Sequence, residues 1–201
     1  MCKSLLVFFV LFCQTGCLFF SLTTAHLTPE NRNSVGVGYQ MPSVLAGNGV
    51  YFGWMRNRIS ARTDLGFTLA LMTDQPTEME QSTHLPTGEE SVGCIRFDVK
   101  YRLTESTDQT FCFSTGGMIE LYYPFWPSAG ARLMTSCKLP LISPYAGAEL
   151  GVCLYYPYCY TLLGCELNPM EGVAVYAETS PTIWFMYDSW QSLQFGVQVT
   201  F

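Results

Sequence analysis

The sequence ends in a strictly alternating stretch, Ser192-Leu193-Gln194-Phe195-Gly196-Val197-Gln198-Val199-Thr200-Phe201. Apolar side chains occupy every second position, and polar side chains or glycine occupy the positions between them. Because successive side chains of a β-strand point to opposite faces, this period of two predicts a terminal strand with one apolar face. The other face carries only small or uncharged residues, and the last residue is aromatic.

This stretch resembles the C-terminal targeting strand of bacterial outer-membrane β-barrel proteins. That signal places a polar residue, a glycine, an apolar residue and a terminal aromatic at fixed spacing, and these positions are held here by Gln194, Gly196, Val199 and Phe201. The resemblance implies two partners, the barrel-assembly machinery for the strand and outer-membrane lipid for its apolar face. The alternative is an ordinary terminal strand of a soluble β-sandwich.

Composition favours the barrel. The chain has 201 residues, which predicts one domain or at most two. Its mean hydropathy is +0.19, yet no apolar run beyond the N-terminal segment is long enough to cross a bilayer as a helix. A barrel reconciles the two observations because lipid-facing and lumen-facing residues alternate along its strands. The net charge of −6 and the lack of a basic patch exclude nucleic acid as a partner.

The N-terminus has the pattern of a targeting segment. Lys3 supplies a positive end, residues 5–12 form an apolar core, and Thr23 and Ala25 place small residues at a cleavage site. We therefore predict a signal peptide over residues 1–25 and a barrel domain over residues 26–201. Two alternatives stay open: lipid attachment at Cys17 and an uncleaved anchor helix.

Nine cysteines divide by position. Three lie in the targeting segment, and four of the others lie in strand-like runs, where a thiol behaves as a small hydrophobe. Cys159 and Cys165 share residues 157–171, a stretch predicted as a loop, so they are the expected pair for a disulfide bond. No Cys or His spacing indicates zinc, and no nucleotide or calcium motif is present, so we expect no metal and no cofactor.

Residues 91–103 show the two faces most clearly, with Ile95, Phe97 and Val99 alternating with charged residues. In a barrel, the charged face points into the lumen. Both signs occur in similar number among the charges predicted to point inward, which are Arg96, Asp98, Lys100, Arg102, Glu120, Arg132, Lys138, Glu149 and Glu178. They predict either a salt-bridged interior or a narrow polar passage.

Residues 144–152, Pro-Tyr-Ala-Gly-Ala-Glu-Leu-Gly-Val, resemble a strand of small outer-membrane barrels of the opacity and OmpW-like type. Glycines on the inner face suit a narrow barrel. The predicted fold is therefore an all-β, antiparallel up-and-down transmembrane barrel. It has eight strands, or ten if Pro181 marks a turn. Tyrosine and tryptophan clusters near strand ends, including Tyr158 and Tyr160, predict girdles at the membrane surface.

Three functions remain open. The resemblance implies a channel or transporter for small, including hydrophobic, molecules. The alternatives are a structural or adhesive barrel whose loops bind a host surface ligand, and a soluble secreted β-domain. We do not expect an enzyme, because hydrolytic barrels need a nucleophile with a base and the only two histidines, His26 and His84, lie outside predicted strands.

Overall fold

The computed structural model describes residues 22, 24–30, 32–41, 49–72, 93–105, 110–122, 126–153, 156–185, 188–189 and 192–201. The predicted signal peptide falls mostly outside these residues, and Cys17, the alternative lipidation site, lies outside them. Within the described residues there is no helix long and apolar enough to span a membrane.

The described chain is built from β-strands that follow one another in sequence. They are β1 (Asn33–Met41), β2 (Val50–Ser60), β3 (Thr63–Met72), β4 (Gly93–Glu105), β5 (Phe111–Tyr122), β6 (Trp126–Cys137), β7 (Ile142–Cys153), β8 (Tyr156–Met170), β9 (Val173–Phe185), β10 (Asp188–Ser189) and β11 (Ser192–Thr200).

Every neighbouring pair of strands is antiparallel, and the sheet closes on itself. β11 lies between β9 and β1, and Phe201 exchanges two backbone hydrogen bonds of 2.9 Å with Asn33 at that seam. The two-residue β10 pairs with the end of β9 on the edge that β11 also occupies, so it shares the position of β11. The predicted all-β up-and-down barrel is confirmed, with ten strand positions, the number kept as the alternative to eight.

The tenth strand does not arise where the sequence suggested. Residues 157–171 were predicted as a loop, but β8 runs through them and pairs along its length with β7 and β9. Pro181 does not mark a turn, because it lies inside β9. The register between β8 and β9 shifts next to it, between the pairs Thr161–Thr182 and Leu163–Thr179. A proline is tolerated in a sheet at such an irregularity, where its missing N–H costs no ladder hydrogen bond.

The outer surface of the barrel is apolar. Phe97 is 59% exposed, Ile119 is 65% exposed, and the outward row of the terminal strand is exposed as predicted. That row is Leu193, Phe195, Val197, Val199 and Phe201. A soluble sandwich would bury this face on a core, so the exposure of the apolar side of β3, β4, β5 and β11 is the arrangement of a lipid-facing barrel.

Glycines on the inner face make room for one large side chain. Trp54 on β2 reaches over β1 and β11, and a methyl group added to Gly36 would lie 2.2 Å from its ring. A methyl group on Gly196 would lie 2.7 Å from the same ring. Trp54 also contacts Tyr176 of β9 edge to face, at 6.2 Å between ring centroids. The two rings therefore narrow the lumen on this side.

Candidate functional site in the barrel lumen

Glu149 is the centre of a buried charge network. Its side chain is fully buried. One carboxylate oxygen accepts hydrogen bonds from Arg96 Nη2 at 3.1 Å, Arg132 Nε at 2.8 Å and Tyr160 Oη at 2.6 Å. The other oxygen accepts from Tyr158 Oη at 3.1 Å. A buried carboxylate is stable only with such partners, and Glu149 has four of them.

Arg96 extends the network across the sheet. Its Nη1 donates to Glu120 Oε1 at 3.0 Å, and Tyr122 Oη donates to the other Glu120 oxygen at 3.0 Å. The strand register explains this contact, because Arg96 on β4 lies directly opposite Glu120 on β5. Arg132 on β6 likewise lies opposite Glu149 on β7. The network thus ties five consecutive strands, β4 to β8, together from inside.

A second group of charges lies beside the first. Arg56 Nη2 pairs with Asp98 at 3.0 Å, and Lys100 Nζ lies 3.7 Å from Asp64. Arg56 and Asp64 are buried lumen charges that were missing from the sequence prediction. The signal for Arg56 was present, because it continues the inward row of Val50, Phe52 and Trp54.

The N-terminal segment enters the lumen from the end with the short turns. Thr28 donates through its backbone N to Asp64 at 2.8 Å, and its carbonyl accepts from Arg58 Nη1 at 3.1 Å. Deeper inside, the carbonyl of His26 accepts from Lys100 Nζ. Residues 26–30 therefore occupy this mouth of the barrel.

His26 lies in that segment, next to several cations. Burial and the nearby charges of Lys138, Lys100 and Arg102 lower the pKa of its imidazole to about 4. His26 is therefore neutral at pH 7, which is the form that a crowded, cation-rich mouth favours.

Most of the predicted inward charges do lie inside. Seven are buried, namely Arg96, Asp98, Lys100, Glu120, Arg132, Glu149 and Glu178. Arg102 is half-buried and donates to the carbonyl of Ala61 at 2.8 Å, near the turn end. Lys138 is exposed, so the prediction of a lumen side chain was wrong for it. The reason is that β6 ends at Cys137, and Lys138 belongs to the turn that follows.

The predicted disulfide also needs correction. Cys159 and Cys165 both lie on β8 with free thiols. Six residues of extended strand separate them by about 20 Å, while the Cα atoms of a disulfide lie within about 7 Å. The sequence predicts this pair only if the segment is a loop that folds back. As a strand, it holds the two sulfurs apart.

The predicted assembly-signal residues lie on both faces of β11. Gln194 is fully buried and points into the lumen, opposite Glu178 on β9. Gly196 lies below Trp54, while Val199 and Phe201 point outward. The predicted aromatic girdle fails for Tyr158 and Tyr160, which are buried in the lumen. Their hydroxyl groups donate to the buried Glu149 carboxylate, and leaving that carboxylate without these donors would cost more free energy than moving the rings from the interface.

Several buried hydroxyl groups line the lumen without a partner among the described residues. They belong to Ser34, Ser114, Ser136 and Ser143. Buried hydroxyl groups in proteins are almost always hydrogen-bonded, to water where no protein group is available. These positions therefore indicate a hydrated lumen beside the charge network. The described residues contain no cluster of three or more side chains suited to hold a metal ion.

No protein-family model and no curated protein matches the chain. Among solved structures, it is similar to the COG4313 outer membrane channel from Pseudomonas putida F1, with a TM-score of 0.55 and 10% identity over 91% of this chain and 100% of that one. It is also similar to KdgM porin, with a TM-score of 0.52 and 8% identity over 84% of this chain and 99% of that one. These likenesses show the fold of small outer-membrane barrels and leave the opacity and OmpW-like type unconfirmed.

Proposed function

We propose that this protein is an integral outer-membrane barrel that conducts small polar solutes through a narrow, charge-lined lumen. The observation that carries the proposal is the inner face, where buried charges of both signs lie beside unpartnered serine hydroxyl groups. An interior serving stability alone has no need of buried hydroxyl groups that no described residue satisfies. Bilayer conductance of the refolded protein is the direct test.

The membrane assignment rests on the outer surface. The apolar row on β4 and its neighbours on β3 and β5 are exposed, and Phe97 contacts Phe67 at 5.2 Å between ring centroids. Such a band is stable in lipid and would aggregate in water. The resemblance of the terminal strand to an assembly signal, the predicted signal peptide of residues 1–25 and the fold of the similar structures support an outer-membrane location.

The polar groups of the lumen favour one class of solute over another. The resemblance to OmpW-like barrels implied small hydrophobic molecules, but a hydrophobic solute would have to displace water from unpaired hydroxyl and guanidinium groups, which costs free energy. Small polar solutes keep those groups hydrogen-bonded. We therefore favour them, with no enzymatic activity and no cofactor. A surface-exposed barrel that binds a host ligand through its loops is the alternative if conductance is absent.

Deletion of residues 26–30 is expected to raise the single-channel conductance severalfold. In the intact protein, this segment occupies the turn-end mouth, held there by Asp64 and Arg58. Its contacts are a few hydrogen bonds, so the barrel itself should persist without it. Planar-bilayer recordings compare the deletion with the full mature chain. Thr28→Ala is a milder control, because only its side-chain bond to Asp64 is lost. Identical conductance of the deletion and the intact chain would show that the segment does not restrict the passage.

Deletion of Phe201 is expected to remove most of the protein from the outer membrane. Phe201 is 67% exposed, so little buried area is lost, but its backbone closes the seam with Asn33 and its ring ends the outward row of the terminal strand. Assembly depends on recognition and closure of this strand. Fractionated cells should show the truncated chain degraded or aggregated in the periplasm. Phe201→Tyr, which keeps an aromatic end, is the matched control. Wild-type membrane levels of the truncated protein would count against the targeting strand.

A further inference from the structure

A cavity of about 20 Å³ lies against the inner wall formed by β4, β5 and β6. Its lining is strongly cationic, with four basic side chains and a single carboxylate. These are Arg56, Arg96, Lys100, Arg132 and Asp98. Ser114 also lines it. The space left inside is enough for one or two water-sized groups.

The cavity is lined by residues with hydrogen-bond donors that none of the described residues accepts. Arg56 is 6% exposed, and its Nη2 donates to both oxygens of Asp98, at 3.2 and 3.0 Å. Its Nε and Nη1 are buried with no hydrogen-bond partner among the described residues. The hydroxyl group of Ser114 is also buried with no hydrogen-bond partner among the described residues. Guanidinium N–H groups can only donate, so any group that satisfies Arg56 must be an acceptor.

The carboxylate that lines the cavity among the described residues is already engaged, because both oxygens of Asp98 accept from Arg56. The neighbouring Glu149 and Glu120 carboxylates, which do not line the cavity, accept from the arginine and tyrosine groups of the network. A cation entering here would meet four basic side chains and a carboxylate that is already paired. A compact anion would meet free donors on Arg56 and Ser114, next to the positive charge of Lys100.

We propose that this cavity is a binding site for a compact monovalent anion such as chloride, and that it makes the lumen anion-selective. The binding site stands on the cavity and its free donors, whereas the selectivity rests on the proposed channel function. The anion is held between Arg56 and Ser114 in surroundings of low dielectric, where a charge-assisted hydrogen bond is stronger than in water.

Chlorine NMR of the full mature chain refolded in detergent tests the binding site. The wild-type protein should broaden the chloride line saturably with chloride concentration. Ser114→Ala removes a donor that no described residue accepts, so it should leave the fold intact and weaken binding roughly tenfold. Ser136→Ala is the matched control, because Ser136 is equally buried and unpartnered but does not line the cavity. Equal broadening by the wild-type protein and Ser114→Ala would overturn the site.

A charge-balanced double variant, Arg56→Gln with Asp98→Asn, removes the guanidinium without leaving a buried carboxylate unpaired, and it should abolish saturable broadening. If this variant fails to refold, the comparison of Ser114→Ala with Ser136→Ala tests the binding site by itself. Reversal potentials across a potassium chloride gradient then test selectivity, which should favour chloride and decrease in Ser114→Ala. Saturable binding without any conductance would contradict the proposed channel function and support the binding site. Conductance without anion preference or site-dependent broadening would support the channel function and contradict the binding site.

Discussion

Replacement of Glu149 by alanine is expected to lower the free energy of unfolding by about 3–5 kcal/mol. The substitution removes the acceptor shared by Arg96, Arg132, Tyr158 and Tyr160. The two guanidinium groups would then face each other in a buried position, with Glu120 in direct contact with Arg96 and with Asp98, which already pairs with Arg56, as the nearby countercharges. Urea unfolding of the detergent-refolded protein, followed by tryptophan fluorescence, measures the loss.

Glu171→Ala is the matched control for this prediction. Glu171 also forms an ion pair with an arginine, at 3.4 Å from Arg32 Nη2, but its side chain is 87% exposed. Exposed pairs contribute little because both charges remain hydrated. The two variants thus remove the same functional group from a buried and an exposed pair. A loss for Glu149→Ala no larger than that for Glu171→Ala would mean that the network does not hold β4 to β8 together.

The two faces of the barrel were predictable because membrane strands obey one local rule. Phe97 and Val199 point outward and Arg96 and Glu149 inward, as the period of two required. The partners within the lumen were not predictable, because they depend on the register between strands. Which carboxylate lies opposite Arg96 is set by the pairing of β4 with β5, and a shift of one residue would reverse every side chain.

β8 was missed because its outward face lacks a regular apolar row. Pro157, Cys159 and Thr161 precede Leu163 on that face, so no row of large apolar residues marks it, and proline is typical of a loop. The pairing on both sides of β8 supplies the stabilisation that its own sequence does not indicate. The inward face carries the stronger signal, since Tyr158 and Tyr160 alternate as they do in a strand. Aromatic residues near a predicted strand end were instead interpreted as an interfacial girdle.

Replacement of Phe97 by arginine is expected to prevent assembly of the barrel in membranes. Phe97 is 59% exposed on the outer surface and lies opposite Phe67, near the middle of β3. An arginine on a lipid-facing site at the bilayer centre costs about 2–4 kcal/mol, whereas near the interface the cost falls to roughly 0–1 kcal/mol. Because the free energy of unfolding of a protein is small, the larger cost is enough to prevent assembly. The expected result is loss of the heat-modifiable band in membrane fractions.

Leu103→Arg is the control, because it also introduces an arginine on the outer surface but at a different depth in the bilayer. Leu103 lies on the same outward row of β4 and is 44% exposed, but it is two residues from the strand end, where an arginine side chain reaches the headgroups. If the outer surface meets lipid, Leu103→Arg should assemble and Phe97→Arg should not. A water-exposed apolar face would not distinguish the two variants, because an arginine at either position would improve solubility. Normal folding of both variants as detergent-free, soluble protein would therefore exclude the membrane barrel, since depth along the strand matters only in a bilayer.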